Sequence, residues 1–209
     1  MKRLAIFDLD GVLADTAIFH YLAWKTISDK LGFEFTEKHN ERLKGVSRGR
    51  SLEILLEVGG ITGLTEEEKR LMCEEKNELY VSYAKECKEL LSGARECLMS
   101  LKSRGVKIAL GSASKNARLI LDSTGVTTLF DSIVDGTRVK NPKPDPEVFL
   151  LAAMDLGIYP ADCAVFEDAQ AGIDAANAAK MTAVAVGMGL TGAAVNVPSV
   201  ADFDINLLF

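Results

Sequence analysis

Apolar residues fall into short runs at 4–7, 107–110, 133–134, 164–166 and 183–186. Runs of this length, bounded by Gly, Asp or Ser, predict buried strands. Between the later runs the apolar positions recur at helical spacing, over 93–104, 117–123, 145–156 and 171–179. Strand and helix in alternation predict an α/β fold: a doubly wound, mostly parallel sheet with helices on both faces. Right-handed crossovers then bring the C-terminal ends of the strands to one edge, where open sheets of this kind bind ligands.

The stretch 16–91 breaks the alternation. It contains no convincing strand, and its periodicity is helical throughout. Thr65 followed by Glu68 is a capping-box pattern, and the run Thr65-Glu66-Glu67-Glu68-Lys69-Arg70 reads as a solvated helix face. The pattern predicts a core domain from 1–15 and 92–209, and an all-helical insertion over 16–91 acting as a lid on the catalytic edge.

Composition narrows the class of protein. With 209 residues, 48% of them hydrophobic, the chain can build one large domain or a core domain with a second, smaller one. A formal net charge of −6 argues against broad binding to nucleic acid or to anionic membranes, while leaving room for a local basic pocket. Cys73, Cys87, Cys97 and Cys163 are scattered with no Cys-x-x-Cys pair, as expected of ordinary thiols in a reducing compartment. The first strand starts at once with no signal peptide, and no apolar stretch approaches the ~20 residues of a membrane span. A cytoplasmic protein is the expectation.

The chemistry begins where the first strand ends. Asp8 and Asp10 follow the apolar run and precede Gly11. Strand alternation would point both side chains the same way. Two close carboxylates repel, and either a divalent cation or a shared proton relieves them. Mg²⁺ suits such an oxygen-rich site. At the later strand ends, Ser112 and Ser114 read either as phosphate-binding hydroxyls or as caps of the following helix. Lys143 sits in Lys143-Pro144-Asp145-Pro146, with Lys140 a rival outside that string. Glu167-Asp168 reads as a helix cap or as a pair of metal residues.

Taken together, Asp8-Leu-Asp10-Gly11-Val12-Leu-Ala-Asp15-Thr16, Ser112, Lys143 in Lys-Pro-x-Pro and Glu167-Asp168 resemble, in order, the four motifs of the haloacid-dehalogenase-like phosphotransferases. The resemblance spans essentially the whole chain and implies a role for each motif. Asp8 would be the nucleophile that attacks phosphorus, a plausible role for a carboxylate because an acyl phosphate splits one hard step into two. Asp10 would be the general acid/base, its main-chain carbonyl helping to hold Mg²⁺. Ser112 would bond the transferring phosphoryl group, and Lys143 would neutralise Asp8 and the phosphate. Asp168 would ligate Mg²⁺ directly, and Glu167 directly or through water. The helical insertion after strand one matches the cap of one subclass.

In the insertion, Thr16, His20 and Trp24 are spaced by four and share one helix face, with Trp24 read as packing. Lys44-Gly45-Val46-Ser47-Arg48, with Ser51 and Lys76-Asn77, is similar to the cap of the β-phosphoglucomutase family. That resemblance implies that Arg48 binds the phosphate not being transferred, helped by Ser114, Lys115 and Asn116. Lys44, Gly45, Val46, Ser51 and Lys76 would line the cap side. His20 would couple cap closure to Asp10, and Thr16 would lie near the hinge. The implied activity interconverts β-D-glucose 1-phosphate and glucose 6-phosphate, with Mg²⁺ as cofactor and β-glucose 1,6-bisphosphate as primer and intermediate. A phosphosugar would be the sole partner, with no nucleic acid, no membrane and a monomeric chain. A sugar-phosphate phosphatase of the same fold is the alternative; a noncatalytic phosphosugar-binding protein fits the intact motifs poorly. Arg50, next to Gly49, is a departure from the pattern that would either shift phosphate preference or face water.

Overall fold

The structure is a computed structural model, and it describes residues 1–43 and 48–209. The chain divides into two compact units, Met1–Asp15 with Cys87–Phe209, and Thr16–Glu86. The second boundary lies five residues before the one expected at 91/92. The reason is a return strap: the Leu91 N–H donates to the Leu13 carbonyl, so 87–91 run with the sheet unit.

The first unit is a six-stranded, all-parallel sheet. Its strands are β1 (Leu4–Phe7), β2 (Lys107–Gly111), β3 (Ser132–Val134), β4 (Cys163–Glu167), β5 (Thr182–Val186) and β6 (Val195–Val197), in the order β3-β2-β1-β4-β5-β6. Every residue of β1 is fully buried, as a central strand covered on both faces requires. The order reverses between β1 and β4, and this switch point opens a crevice at the strand C-termini. Phe7 lies opposite Phe166, their rings stacked at 4.4 Å, so the register puts the residues after Phe7 beside the end of β4.

The helices of the second unit, numbered with those of the first in chain order, are α1 (Ala17–Leu31), α2 (Glu37–Asn40), α3 (Arg48–Gly59) and α4 (Glu66–Ala84). In the sheet unit α5 (Ala94–Ser103), α6 (Ala117–Ser123), α7 (Glu147–Asp155) and α8 (Gln170–Ala178) follow. Val148, Phe149, Ala152 and Ala153 of α7 share one core with Ile173, Ala175 and Ala176 of α8 and with Leu4 and Ile6 of β1. The helical unit has its own core around Trp24, Ile27, Phe35, Leu52 and Leu55, so Trp24 is a packing residue. Among the described residues no helix is long and apolar enough to cross a membrane.

The strands and helices of the sheet unit fall within two residues of the predicted ranges, with one addition. The strand β6 was not expected, because 187–198 is rich in small residues and shows little apolar pattern. Its pairing to β5 through Val184, Ala185 and Val186 creates it.

Candidate active site

Asp8 leaves the sheet immediately after β1, and its N–H still donates to the Phe166 carbonyl at 3.0 Å. Asp10 is no longer in the strand. The chain turns at Gly11, whose φ is +74°, and the Leu13 and Ala14 N–H groups both return to the Leu9 carbonyl. Asp8 and Asp10 thus both lie beyond β1, with Asp10 in an isolated parallel bridge to Ala14. Glycine suits position 11 on two grounds: its positive φ, and the lack of a Cβ that would overlap the Asp168 carboxylate.

Asp8, Glu167 and Asp168 each present a carboxylate oxygen, all within 4.8 Å of one another. Asp8 and Glu167 are buried, whereas Asp168 is exposed. Lys143 reaches into this cluster. Its Nζ donates to Asp8 Oδ1 at 2.6 Å and also to Glu167 Oε1, and it lies 4.9 Å from the centre of the Phe149 ring. A lysine in a loop is ordinarily solvated; here the side chain is only 12% exposed. Burial works against its charge, but the Asp8 and Glu167 carboxylates outweigh that and hold the ammonium above its ordinary pKa. Glu167 is pushed up, first by burial and then by the Asp8 charge, which together outweigh the opposing pull of the Lys143 ammonium. The other oxygen of Glu167 accepts the Ala169 N–H at 3.0 Å. The helix α8 approaches so closely that a Cβ at Gly172 would strike the Glu167 carboxylate. Lys140, the rival to Lys143, is exposed.

Ser112 is fully buried after β2, anchored by its N–H to the Val134 carbonyl. Its Oγ accepts the Ser114 N–H at 3.1 Å, and Ser114 Oγ accepts the Asn116 N–H at 3.3 Å. The two hydroxyls thus fold a tight turn before α6, and neither caps that helix by the usual bond to its first turn; the N-cap residue is Asn116. Gly136 closes the turn with an N–H to the Ser114 carbonyl at 3.1 Å, where any Cβ would overlap the Ala113 carbonyl. Lys115 is exposed beside it.

The helical unit assembles a second group. Thr16 is the buried N-cap residue of α1, and His20 and Trp24 follow along that helix. Lys76 of α4 is buried; its Nζ lies 2.6 Å from His20 Nδ1, 5.3 Å from the Trp24 ring and 5.0 Å from the Tyr80 ring. Burial, and then the nearby Lys76 and Arg48 charges, lower the His20 pKa to about 3. His20 is therefore neutral, with Nδ1 accepting from the ammonium. Arg48, at the start of α3, is exposed and donates to Asn77 Oδ1 at 2.8 Å. Ser51 is buried one turn further on. Arg50 is tied to Glu53 at 2.7 Å and Glu57 at 3.3 Å. Lys44, Gly45 and Val46 lie outside the described residues.

The family follows from comparison with known proteins. The model of the haloacid dehalogenase-like hydrolases matches residues 2–180, and the chain belongs to that family. Among its relatives, β-phosphoglucomutase of Bacillus subtilis is 44% identical, over 99% of this chain and 93% of the relative. A crystal structure of β-phosphoglucomutase from Clostridium difficile superposes with a TM-score of 0.89 at 44% identity, covering 99% of this chain and 95% of the other. A phosphorylated carbohydrates phosphatase of Thermotoga maritima is 35% identical over 83% of this chain and 80% of its own length. Phosphotransferases of the family generally use Mg²⁺. The donors clustered here fit it: they are carboxylate oxygens, which a hard cation prefers, and glycines at 11 and 172 leave the space their side chains fill.

Proposed function

We propose that the chain interconverts β-D-glucose 1-phosphate and D-glucose 6-phosphate through β-glucose 1,6-bisphosphate, as a β-phosphoglucomutase. The observation that carries this reading is the buried Asp8 carboxylate held by Lys143 at 2.6 Å at the sheet's switch point, in a chain 44% identical to a β-phosphoglucomutase over nearly its whole length. Asp8, Glu167 and Asp168, with the Asp10 main-chain carbonyl, hold Mg²⁺, which when bound offsets negative charge on the phosphoryl oxygens.

Asp8 is first phosphorylated by the bisphosphate primer. Asp10 takes the proton from the 6-hydroxyl of bound β-glucose 1-phosphate. That oxygen attacks phosphorus, the bond to Asp8 breaks, and the bisphosphate forms. The intermediate turns end for end. Asp8 then attacks the phosphorus at C1, Asp10 returns the proton to the departing oxygen, and glucose 6-phosphate leaves. Ser112 bonds the transferring group, and Lys143 offsets the negative charge of Asp8 and of the incoming phosphate; such fixed groups supply most of the help phosphoryl transfer needs. Arg48 holds the phosphate that is not being transferred, with Ser114, Lys115 and Asn116 assisting. Lys76, positioned by neutral His20, contacts the sugar, and Lys44, Gly45, Val46, Ser51 and Thr16 complete the substrate site.

The test follows glucose 6-phosphate and inorganic phosphate together, with β-glucose 1-phosphate, Mg²⁺ and a trace of the bisphosphate. Glucose 6-phosphate without matching phosphate is the expected result. Phosphate release without glucose 6-phosphate would make the enzyme a phosphatase, the activity named for the Thermotoga relative.

A further inference from the structure

Lys143 is carried by a loop between β3 and α7, yet its ammonium must meet two carboxylates at once. Prolines at 142, 144 and 146 leave that loop few N–H groups. Two of them go to one side chain. Glu147, the first residue of α7, turns back so that Oε2 accepts the Asn141 N–H at 2.7 Å and both oxygens accept the Lys140 N–H at 3.2 Å. The far side of the loop is tied as well. The Asp145 N–H donates to the Pro142 carbonyl at 3.0 Å, and the Glu147 N–H donates to Asp145 Oδ1 at 2.9 Å. Two residues further along α7, Phe149 supplies the ring beside the Lys143 ammonium. One turn of helix thus grips the loop at its start and supports it at its apex.

We propose that Glu147 is a positioning residue for phosphoryl transfer: its carboxylate closes the 140–147 loop and so sets where Lys143 delivers its ammonium. This rests on the reading of Lys143 as the group that neutralises Asp8. The Asn141 N–H bond holds Glu147 below the usual carboxylate range, so the clamp is charged at neutral pH. Glu147 lies outside the apolar core that Val148 and Phe149 enter, so its bonds act on the loop and not on core packing.

Three measurements test the proposal. In Glu147→Ala the kcat of the mutase reaction is expected to fall about tenfold with KM within about twofold, as for loss of a partner that orients an active-site group. Glu147→Gln, which keeps one acceptor oxygen, should fall between the two. The Lys143 ammonium, observed by ¹⁵N NMR in the full chain, should exchange with water faster in Glu147→Ala than in the wild type. An unchanged ammonium signal in Glu147→Ala, beside a Lys143→Ala variant that has lost activity, would overturn the positioning role and leave the Lys143 reading standing. Wild-type kcat in Lys143→Ala would overturn both. A drop in melting temperature alone, with kcat and the ammonium signal intact, would reduce Glu147 to a structural cap.

Discussion

At the residue scale, the site works by setting charges that oppose one another at short range. Asp8 and Glu167 are buried side by side, and the Lys143 ammonium between them is what keeps the arrangement tolerable. Asp8→Asn retains the shape and removes the nucleophile, so turnover should vanish while circular dichroism stays that of the wild type; normal activity would exclude Asp8. His20 makes a different point. Its pKa falls from the usual 6.5 to about 3 because it is buried against Lys76 and Arg48. Between those values the unfolded chain binds a proton that the folded chain refuses. Stability from this group is therefore complete above pH 6.5 and is lost as pH falls toward 3, by at most about 1.4 kcal/mol per pH unit. Chemical unfolding across that range should show a shallower dependence in His20→Asn than in the wild type; equal slopes would mean the histidine is not held neutral.

At the element scale, helix ends and close approaches do the positioning. The capping box of α4 forms as its pattern predicts: Thr65 Oγ1 accepts the Glu68 N–H at 3.2 Å, and Glu68 Oε2 accepts the Thr65 N–H at 2.7 Å. Thr65→Ala should lower stability by about 1 kcal/mol, read from the urea midpoint, with kcat unchanged. The helix α8 has a tighter requirement. Its Gly172 lies against the Glu167 carboxylate, and a methyl group there must displace that side chain. Gly172→Ala should raise the Mg²⁺ concentration for half-maximal activity about tenfold, as for loss of support to a metal ligand. An unaltered Mg²⁺ requirement would remove Glu167 from the metal site.

At the scale of the whole molecule, the two units hold separate sets of polar groups: the carboxylates, Lys143 and the Ser112 turn in one, and His20, Lys76, Arg48 and Asn77 in the other. If Arg48 holds the second phosphate, Arg48→Ala should raise KM for the bisphosphate at least tenfold and leave hydrolysis of a small aryl phosphate nearly unchanged. Equal losses on the two substrates would count against a distal-phosphate role. The residues of these sets were legible to different degrees. Runs of apolar residues at 4–7 and 164–166 announce buried strands because a strand covered on both faces has no polar side to show. The acids, serine and lysine at strand ends stand out for the opposite reason, as polar groups directly after such runs. The strand β6 and the bond from Glu147 to Lys140 and Asn141 leave no such mark, since the partners are backbone groups brought near by folding. The same holds for Gly172, whose role depends on how closely one helix approaches one side chain. The sequence by itself determined the sheet class, the helical insertion and the identity of the chemical groups, because periodicity and residue type are local properties. Only the tertiary structure decided that one Lys143 ammonium meets Asp8 and Glu167 at once, that Glu147 turns back onto the Lys140 and Asn141 N–H groups, and that His20 is held against Lys76, because each depends on distances set by the path of the backbone between residues apart in the chain.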